Sequence, residues 1–209
     1  MKKLLFLGDS ITDSHRLWLP SEYEGLGDGF VKMIADKLKP QNDDIEIINR
    51  GHDGLTLPHL IQNLERDCFC LNPDVITILI GINDVGVSMQ TAVSLREQQF
   101  KTCFLEMIES IRQHTDVTLL LMSPFIFPHP LEYQNWIPET LYAEDVIRKA
   151  ATSYDIPFCS LHDTLNKAAE AYGYDAITTD GIHLTEMGSQ YICDSWMKLY
   201  ESERAAASR

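Results

Sequence analysis

Short apolar runs separated by longer stretches of helical periodicity organise this chain. Lys3–Leu7, Ile45–Ile48, Val75–Ile80, Val117–Met122 and Ile156–Ser160 predict strands. Each is brief and rich in Ile, Val or Leu, as a strand covered on both faces requires. Between them, Phe30, Ile34 and Leu38 recur at spacing four ahead of Pro40, and Leu57–Arg66 forms a second helical stretch. Val93–His114 is the longest, with Leu95, Phe100, Phe104, Met107, Ile108 and Ile111 as its buried side. Leu141–Tyr154 and Glu186–Tyr200 follow, and residues 201–209 are expected to be a frayed tail. No linker or repeat divides residues 1–209, so one domain is expected. Strand–helix alternation implies an α/β fold with about five parallel strands, helices on both faces and right-handed crossovers. Ligands of such sheets sit beyond the carboxyl ends of the strands.

The residues that follow each strand therefore come first. After the first strand comes Gly8-Asp9-Ser10-Ile11-Thr12-Asp13. Glycine permits a sharp turn, and Ser10 then starts a segment whose N–H groups favour negative charge, which suits a nucleophile that creates an oxyanion. A turn in which Asp9 or Ser10 caps a helix explains the same residues. After the second strand, Gly51 and Gly54 leave backbone uncovered, so that an N–H can approach a substrate oxygen. After the third comes Gly81-Ile82-Asn83-Asp84, whose Asn83 amide is an uncharged donor or a helix cap. Asp180-Gly181-Ile182-His183 opens the last helix, at a spacing that lets Asp180 orient one ring nitrogen of His183 and leaves the other to take a proton. Each fragment alone is weak. Together they hold a hydroxyl, an oriented imidazole and neutral donors, the parts of an acyl-transfer site.

Composition narrows the partners. Hydrophobic residues make up 44% and charged residues 23%, an ordinary soluble balance. With 31 acidic and 17 basic side chains the net charge is -14, which argues against nucleic acid and membrane surfaces as partners and suits a neutral small-molecule substrate. The apolar stretch after Met1-Lys2-Lys3 stops at Gly8, short of a secretion signal's core of ~7–15 residues. The five cysteines are odd in number and share no repeated spacing, as expected of reduced thiols in a cytoplasmic protein. Cys68-Phe69-Cys70 lacks zinc-ligand spacing, and HExxH, EF-hand and P-loop motifs are missing, so neither metal nor organic cofactor is expected.

As a set, Gly8-Asp9-Ser10, the Gly51/Gly54 loop, Gly81-Ile82-Asn83-Asp84 and Asp180-Gly181-Ile182-His183 resemble the four blocks of the SGNH (GDSL) hydrolase superfamily, in the same order and across nearly the whole chain. Further likeness, in Arg16, Leu26-Gly27-x-Gly29, Val85 and Met122-Ser123-Pro124-Phe125, is to its intracellular bacterial acetylxylan esterases. The resemblance implies a flavodoxin-like three-layer α/β/α sandwich and a serine esterase for small carboxylic esters, acting through an acyl-serine on acetylated xylo-oligosaccharides. By it Ser10 is the nucleophile, His183 the base and Asp180 its partner, and the oxyanion hole comprises the Ser10 N–H, the Gly54 N–H and the Asn83 side chain. Asp53-Gly54-Leu55-Thr56 departs from the usual second block, and Asp180-Gly181-Ile182-His183-Leu184 is a general superfamily variant. Both bear on substrate and neither on a catalytic residue.

Asp9, Asp13 and Arg16 are the expected substrate contacts, although Arg16 reads equally as a plain surface arginine. Pocket walls are expected from Asp13–Tyr23, Val85–Met89 and Phe125–Trp136. The aromatic residues of the last segment can stack on sugar rings, wall an acyl pocket or bury a contact in a homo-oligomer. Two rival functions are a lysophospholipase- or thioesterase-like acyl esterase and a non-catalytic small-molecule binder. The acidic surface disfavours bulky lipids, and binding alone has no need of an Asp-oriented histidine.

Overall fold

The structure, a computed structural model, describes residues 1–18, 25–41 and 44–207. Strands β1 (Lys2–Gly8), β2 (Ile45–Gly51), β3 (Val75–Leu79), β4 (Thr118–Met122) and β5 (Phe158–Cys159) form one parallel sheet in the order β2-β1-β3-β4-β5. This is the flavodoxin-like order. Helices α1 (Ser10–Asp13), α2 (Phe30–Leu38), α3 (Leu57–Asp67), α4 (Ile82–Thr91), α5 (Phe100–His114), α6 (Ile137–Tyr154), α7 (His162–Tyr172), α8 (Tyr174–Ile177) and α9 (Glu186–Ala207) complete the three layers.

Strand side chains alternate between two cores. Leu5, Leu7, Ile76, Ile78, Leu119 and Leu121 pack with Leu60 of α3, Phe104 and Ile108 of α5, and Ile147 of α6. Leu4, Phe6, Ile45, Ile47, Leu120 and Met122 face the other way, against Phe30 and Ile34 of α2, Leu165 of α7 and Trp196 of α9. Burial on both faces is why the strands read as unbroken apolar runs, and each such side chain contributes roughly 1.5–3 kcal/mol. Thr77 is the polar residue within β3, and it is satisfied: its hydroxyl accepts from Trp196 Nε1 at 2.8 Å. Register pairs Gly8 with both Gly51 and Leu79, so the loops leaving β1, β2 and β3 start side by side.

The boundaries differ from the periodicity in instructive places. Helix α5 begins at Phe100, not Val93, because the chain turns left-handed at Ala92 and Gln99 and Ser94 exchanges hydrogen bonds with Glu97. Leu95 is buried all the same. Helix α9 runs on to Ala207 where a frayed tail was expected from residue 201. The last predicted strand shrinks to Phe158–Cys159. Helices α1, α4, α7 and α8 are additional; α4 carries Gly86 and two valines, a weak intrinsic helix former that packing of Ile82 and Val85 holds in place. No helix among the described residues is long and apolar enough to cross a membrane.

Candidate active site

The turn out of β1 is shaped by close approach. A Cβ on Gly8 would collide with the Thr12 hydroxyl and the Leu79 carbonyl. Asp9 caps α1, accepting from the Ile11 N–H at 3.0 Å, so the capping expectation holds for Asp9. Ser10 is thereby the first residue of α1, and its Oγ lies 3.0 Å from His183 Nε2, across 173 residues of sequence.

The imidazole is held by a turn before α9, which starts only at Glu186, rather than by the opening of that helix. Gly181 has φ +95°, and a Cβ there would collide with the His129 carbonyl. The Thr178 hydroxyl donates to the His183 carbonyl at 2.7 Å and accepts from the Gly181 N–H at 2.8 Å. Within this turn Asp180 Oδ1 accepts from the Ile182 and His183 N–H groups at 2.9 and 2.7 Å, while Oδ2 lies 2.6 Å from His183 Nδ1. Burial works to raise the Asp180 pKa, but these bonds outweigh it and hold the carboxyl below its ordinary value. A carboxylate at Nδ1 fixes that nitrogen as the donor. Nε2 is then the acceptor for the Ser10 hydroxyl.

Neutral donors flank this relay. His52–Leu55 is a turn closed by the Leu55 N–H on the His52 carbonyl at 3.1 Å, with Gly54 at φ +70° and open space on its Cβ side. Asn83 sits in the first turn of α4 rather than at its cap, and its Nδ2 donates one hydrogen to the Leu55 carbonyl at 3.1 Å. An amide nitrogen carries two hydrogens, and this bond uses one of them. Asp84 turns away from its own helix and accepts the Leu57 N–H at the start of α3. Burial, opposed by that bond, pushes its pKa up to about 7. Asn49 was not singled out by its sequence. It is buried, its Nδ2 donates to the carbonyls of Thr12 and Leu26 at 2.6 and 2.8 Å, and its Oδ1 accepts from the Gly51 N–H at 2.8 Å, which fastens β2 to α1.

Asp9, Asp13 and Arg16, the expected substrate contacts, are all buried, and none of them is among the residues that line the cleft. Burial, opposed by the Ile11 N–H and reinforced by the charge of Asp84, pushes Asp9 up to about 7. Burial also raises Asp13, although the adjacent Arg16 opposes it. The Arg16 Nε meets Asp13 Oδ1 at 2.9 Å and the Gly51 carbonyl at 2.8 Å, and its terminal nitrogen lies 3.3 Å from His52 Nδ1. His52 Nε2 in turn lies 2.8 Å from Asp67, which Arg66 grips through both oxygens at 2.9 and 2.7 Å. A charged network, buried at Asp13, Arg16 and Asp67 and exposed at Arg66, thus adjoins the Gly54 turn.

The cleft itself holds Ser10, Gly54, Asn83 and His183, and Ser14, His15, Trp18, Met33, Leu184 and Glu186 also line it. Part of the wall expected from Asp13–Tyr23 is there; Leu19–Glu24 lie outside the described residues. Val85, Phe125 and Phe127 instead point into the two cores, and Tyr133 packs beside Gly181.

This architecture, a 2-1-3-4-5 parallel sheet with a Ser–His–Asp chain at its carboxyl edge, defines the class of hydrolase. The profile of the GDSL-like Lipase/Acylhydrolase family matches residues 6–191, and the chain belongs to that family. An acetylxylan esterase from Geobacillus stearothermophilus is 39% identical over 88 residues, a match spanning 40% of this chain and 40% of that protein. Among solved structures, a putative GDSL-like lipase from Parabacteroides merdae superposes with a TM-score of 0.85 at 23% identity, covering 95% of this chain and 94% of that one. A catalytic mutant of the Geobacillus acetylxylan esterase gives 0.83 at 22%, covering 95% and 93%. An α/β hydrolase from the metagenome of Lake Arreo gives 0.82 at 21%, covering 95% and 94%. At these identities the superpositions establish the fold.

Proposed function

We propose that this protein is a serine esterase that removes acetyl groups from short acetylated xylo-oligosaccharides. The observation that carries the reading is the unbroken chain from Ser10 Oγ to His183 Nε2 at 3.0 Å and from His183 Nδ1 to Asp180 at 2.6 Å. Ser10 attacks the ester carbonyl while His183 takes its proton, and Asp180 stabilises the resulting imidazolium. The carbonyl oxygen becomes an anion received by the N–H groups of Ser10 and Gly54 and by the free hydrogen of the Asn83 amide. The sugar alcohol leaves with the proton from His183. Water, deprotonated by the same nitrogen, attacks the acyl-serine, and acetate departs as Ser10 regains its proton. The chemistry is complete with side chains and water alone.

The acetylated sugar is supported by the acetylxylan esterase relative and by a cleft whose lining includes the acidic side chains Asp28, Asp36, Asp53 and Glu186. Those carboxylates suit a neutral hydroxylated substrate better than an anionic lipid head. Turnover of p-nitrophenyl acetate and of an acetylated xylo-oligosaccharide, compared between the native chain and Ser10→Ala, tests the reading. Activity should vanish in the variant, together with labelling by a serine-directed phosphonate, while the thermal transition persists. Undiminished turnover by Ser10→Ala would end it.

A further inference from the structure

At the rim of the cleft an indole is held out into solvent. Trp18 is 70% exposed, yet it lines the same cleft as Ser10 and His183. Singly exposed apolar side chains are common on protein surfaces, so what sets Trp18 apart is its place in the cleft that holds the serine and the imidazole.

Its support is rigid. Ser14 and His15 both adopt left-handed backbone, with φ of 43° and 63°, a conformation that side-chain-bearing residues avoid unless their surroundings impose it. Asp28 imposes it here. It accepts from the Ser14 hydroxyl at 2.7 Å, its N–H donates to the Ser14 carbonyl at 2.8 Å, and its carboxylate meets His15 Nδ1 at 3.1 Å. The Trp18 N–H then donates to the His15 carbonyl at 3.0 Å, and the two rings lie 4.9 Å apart at 50°. The backbone that carries the indole is thus held in place before a ligand arrives, which lowers the entropic cost of binding to it.

The remaining walls decide what the ring receives. Asp53, Glu186 and Ser189, side chains that carry hydrogen-bond acceptors, line the same cleft, and its apolar side chains besides Trp18 are Ile11, Met33 and Leu184. A long acyl chain requires a continuous apolar channel. A pyranose requires one flat apolar face and acceptors around its edge, as this cleft offers.

We propose that Trp18 is the stacking platform for the sugar ring of the leaving alcohol, and so the residue that selects pyranoside esters over simple alkyl esters. This rests on the esterase reading above.

The test compares the native chain, Trp18→Phe and Trp18→Ala on an acetylated xylo-oligosaccharide and on ethyl acetate, whose leaving group cannot stack. The ratio of the two kcat/KM values should fall about tenfold in Trp18→Ala, the scale of one aromatic contact, and recover largely in Trp18→Phe. Calorimetric titration of the oligosaccharide into Ser10→Ala, with and without Trp18→Ala, should show a matching tenfold loss of affinity. An unaltered ratio with unaltered affinity overturns the platform, as does a native chain with no preference for the sugar ester. Absence of ester turnover by the native chain would instead overturn the esterase reading, and the titration would still report on Trp18.

Discussion

The Asn83 side-chain amide donates to the main-chain carbonyl of Leu55 at 3.1 Å, joining the first turn of α4 to the residue that follows Gly54. The turn after β2 that carries Gly54 and the Asn83 amide, which both line the cleft, are thereby joined: the bond spends one amide hydrogen and, on the proposed reading, aims the other.

Asn83→Ala removes the aimed hydrogen and releases the Leu55 carbonyl. Because an oxyanion donor acts on charge that develops in the transition state, kcat should fall by about 10²–10³ with little change in KM. Steady-state kinetics on p-nitrophenyl acetate read this directly. A change confined to KM would place Asn83 in ground-state binding alone.

Asp180→Asn tests orientation rather than charge in isolation. The amide still accepts at Oδ1 from the Ile182 and His183 N–H groups, so the turn should survive. At His183 Nδ1 it presents either an N–H or a weaker acceptor, and the tautomer that leaves Nε2 free loses its support. In a triad of this type that loss lowers kcat by about 10⁴. Circular dichroism and the thermal midpoint should remain close to native. Near-native kcat would show that the imidazole is oriented by the turn alone.

The strands and the residues at their carboxyl ends were legible because both follow from local rules. Burial on two faces makes Val75–Leu79 continuously apolar, and a parallel sheet gathers its loops at one edge. What local pattern could not convey was which polar residues line the cleft and which are buried outside its lining. Arg16 and Asp13 sit within six residues of Ser10, and nothing in spacing separates a substrate contact from a buried ion pair. Asn49 looks like an ordinary end-of-strand residue, since its partners Thr12 and Leu26 are 37 and 23 residues away. Trp18 reads as one more aromatic residue until the left-handed turn at Ser14 and His15 is seen to hold it outward.

Arg16 should matter for stability through the groups it satisfies. Removing its side chain leaves Asp13 buried without its counter-charge and the Gly51 carbonyl without its donor. Breaking one partner of a buried pair costs about 3–5 kcal/mol, so Arg16→Met should lower the urea midpoint sharply. Asp13→Asn combined with Arg16→Met removes the stranded charge as well and should recover part of the loss, which a double-mutant cycle in urea would measure. Strict additivity would mean that the two residues act independently.

The buried carboxyls Asp9 and Asp84 give stability a definite pH dependence. Burial raises each from an ordinary value of 3.8 to about 7. Between these values the folded chain keeps a proton that the unfolded chain has released, so stability falls as pH rises through the window, by at most ~1.4 kcal/mol per pH unit for each group. Asp67 and Asp180 are shifted the opposite way, and their contribution is lost only as pH falls below the ordinary carboxylate value, outside that window. Asp84→Asn keeps an oxygen acceptor for the Leu57 N–H and cannot ionise. Urea unfolding at pH 5 and pH 7.5 should therefore show a smaller stability drop in Asp84→Asn than in the native chain. Asp9→Asn should behave alike, and each substitution should also ease the ionisation of the remaining carboxyl, because the charge of Asp84 helps to raise Asp9. Equal slopes in the native chain and both variants would mean that the two carboxyls are already ionised at pH 5 and that solvent, not the protein interior, sets their charge.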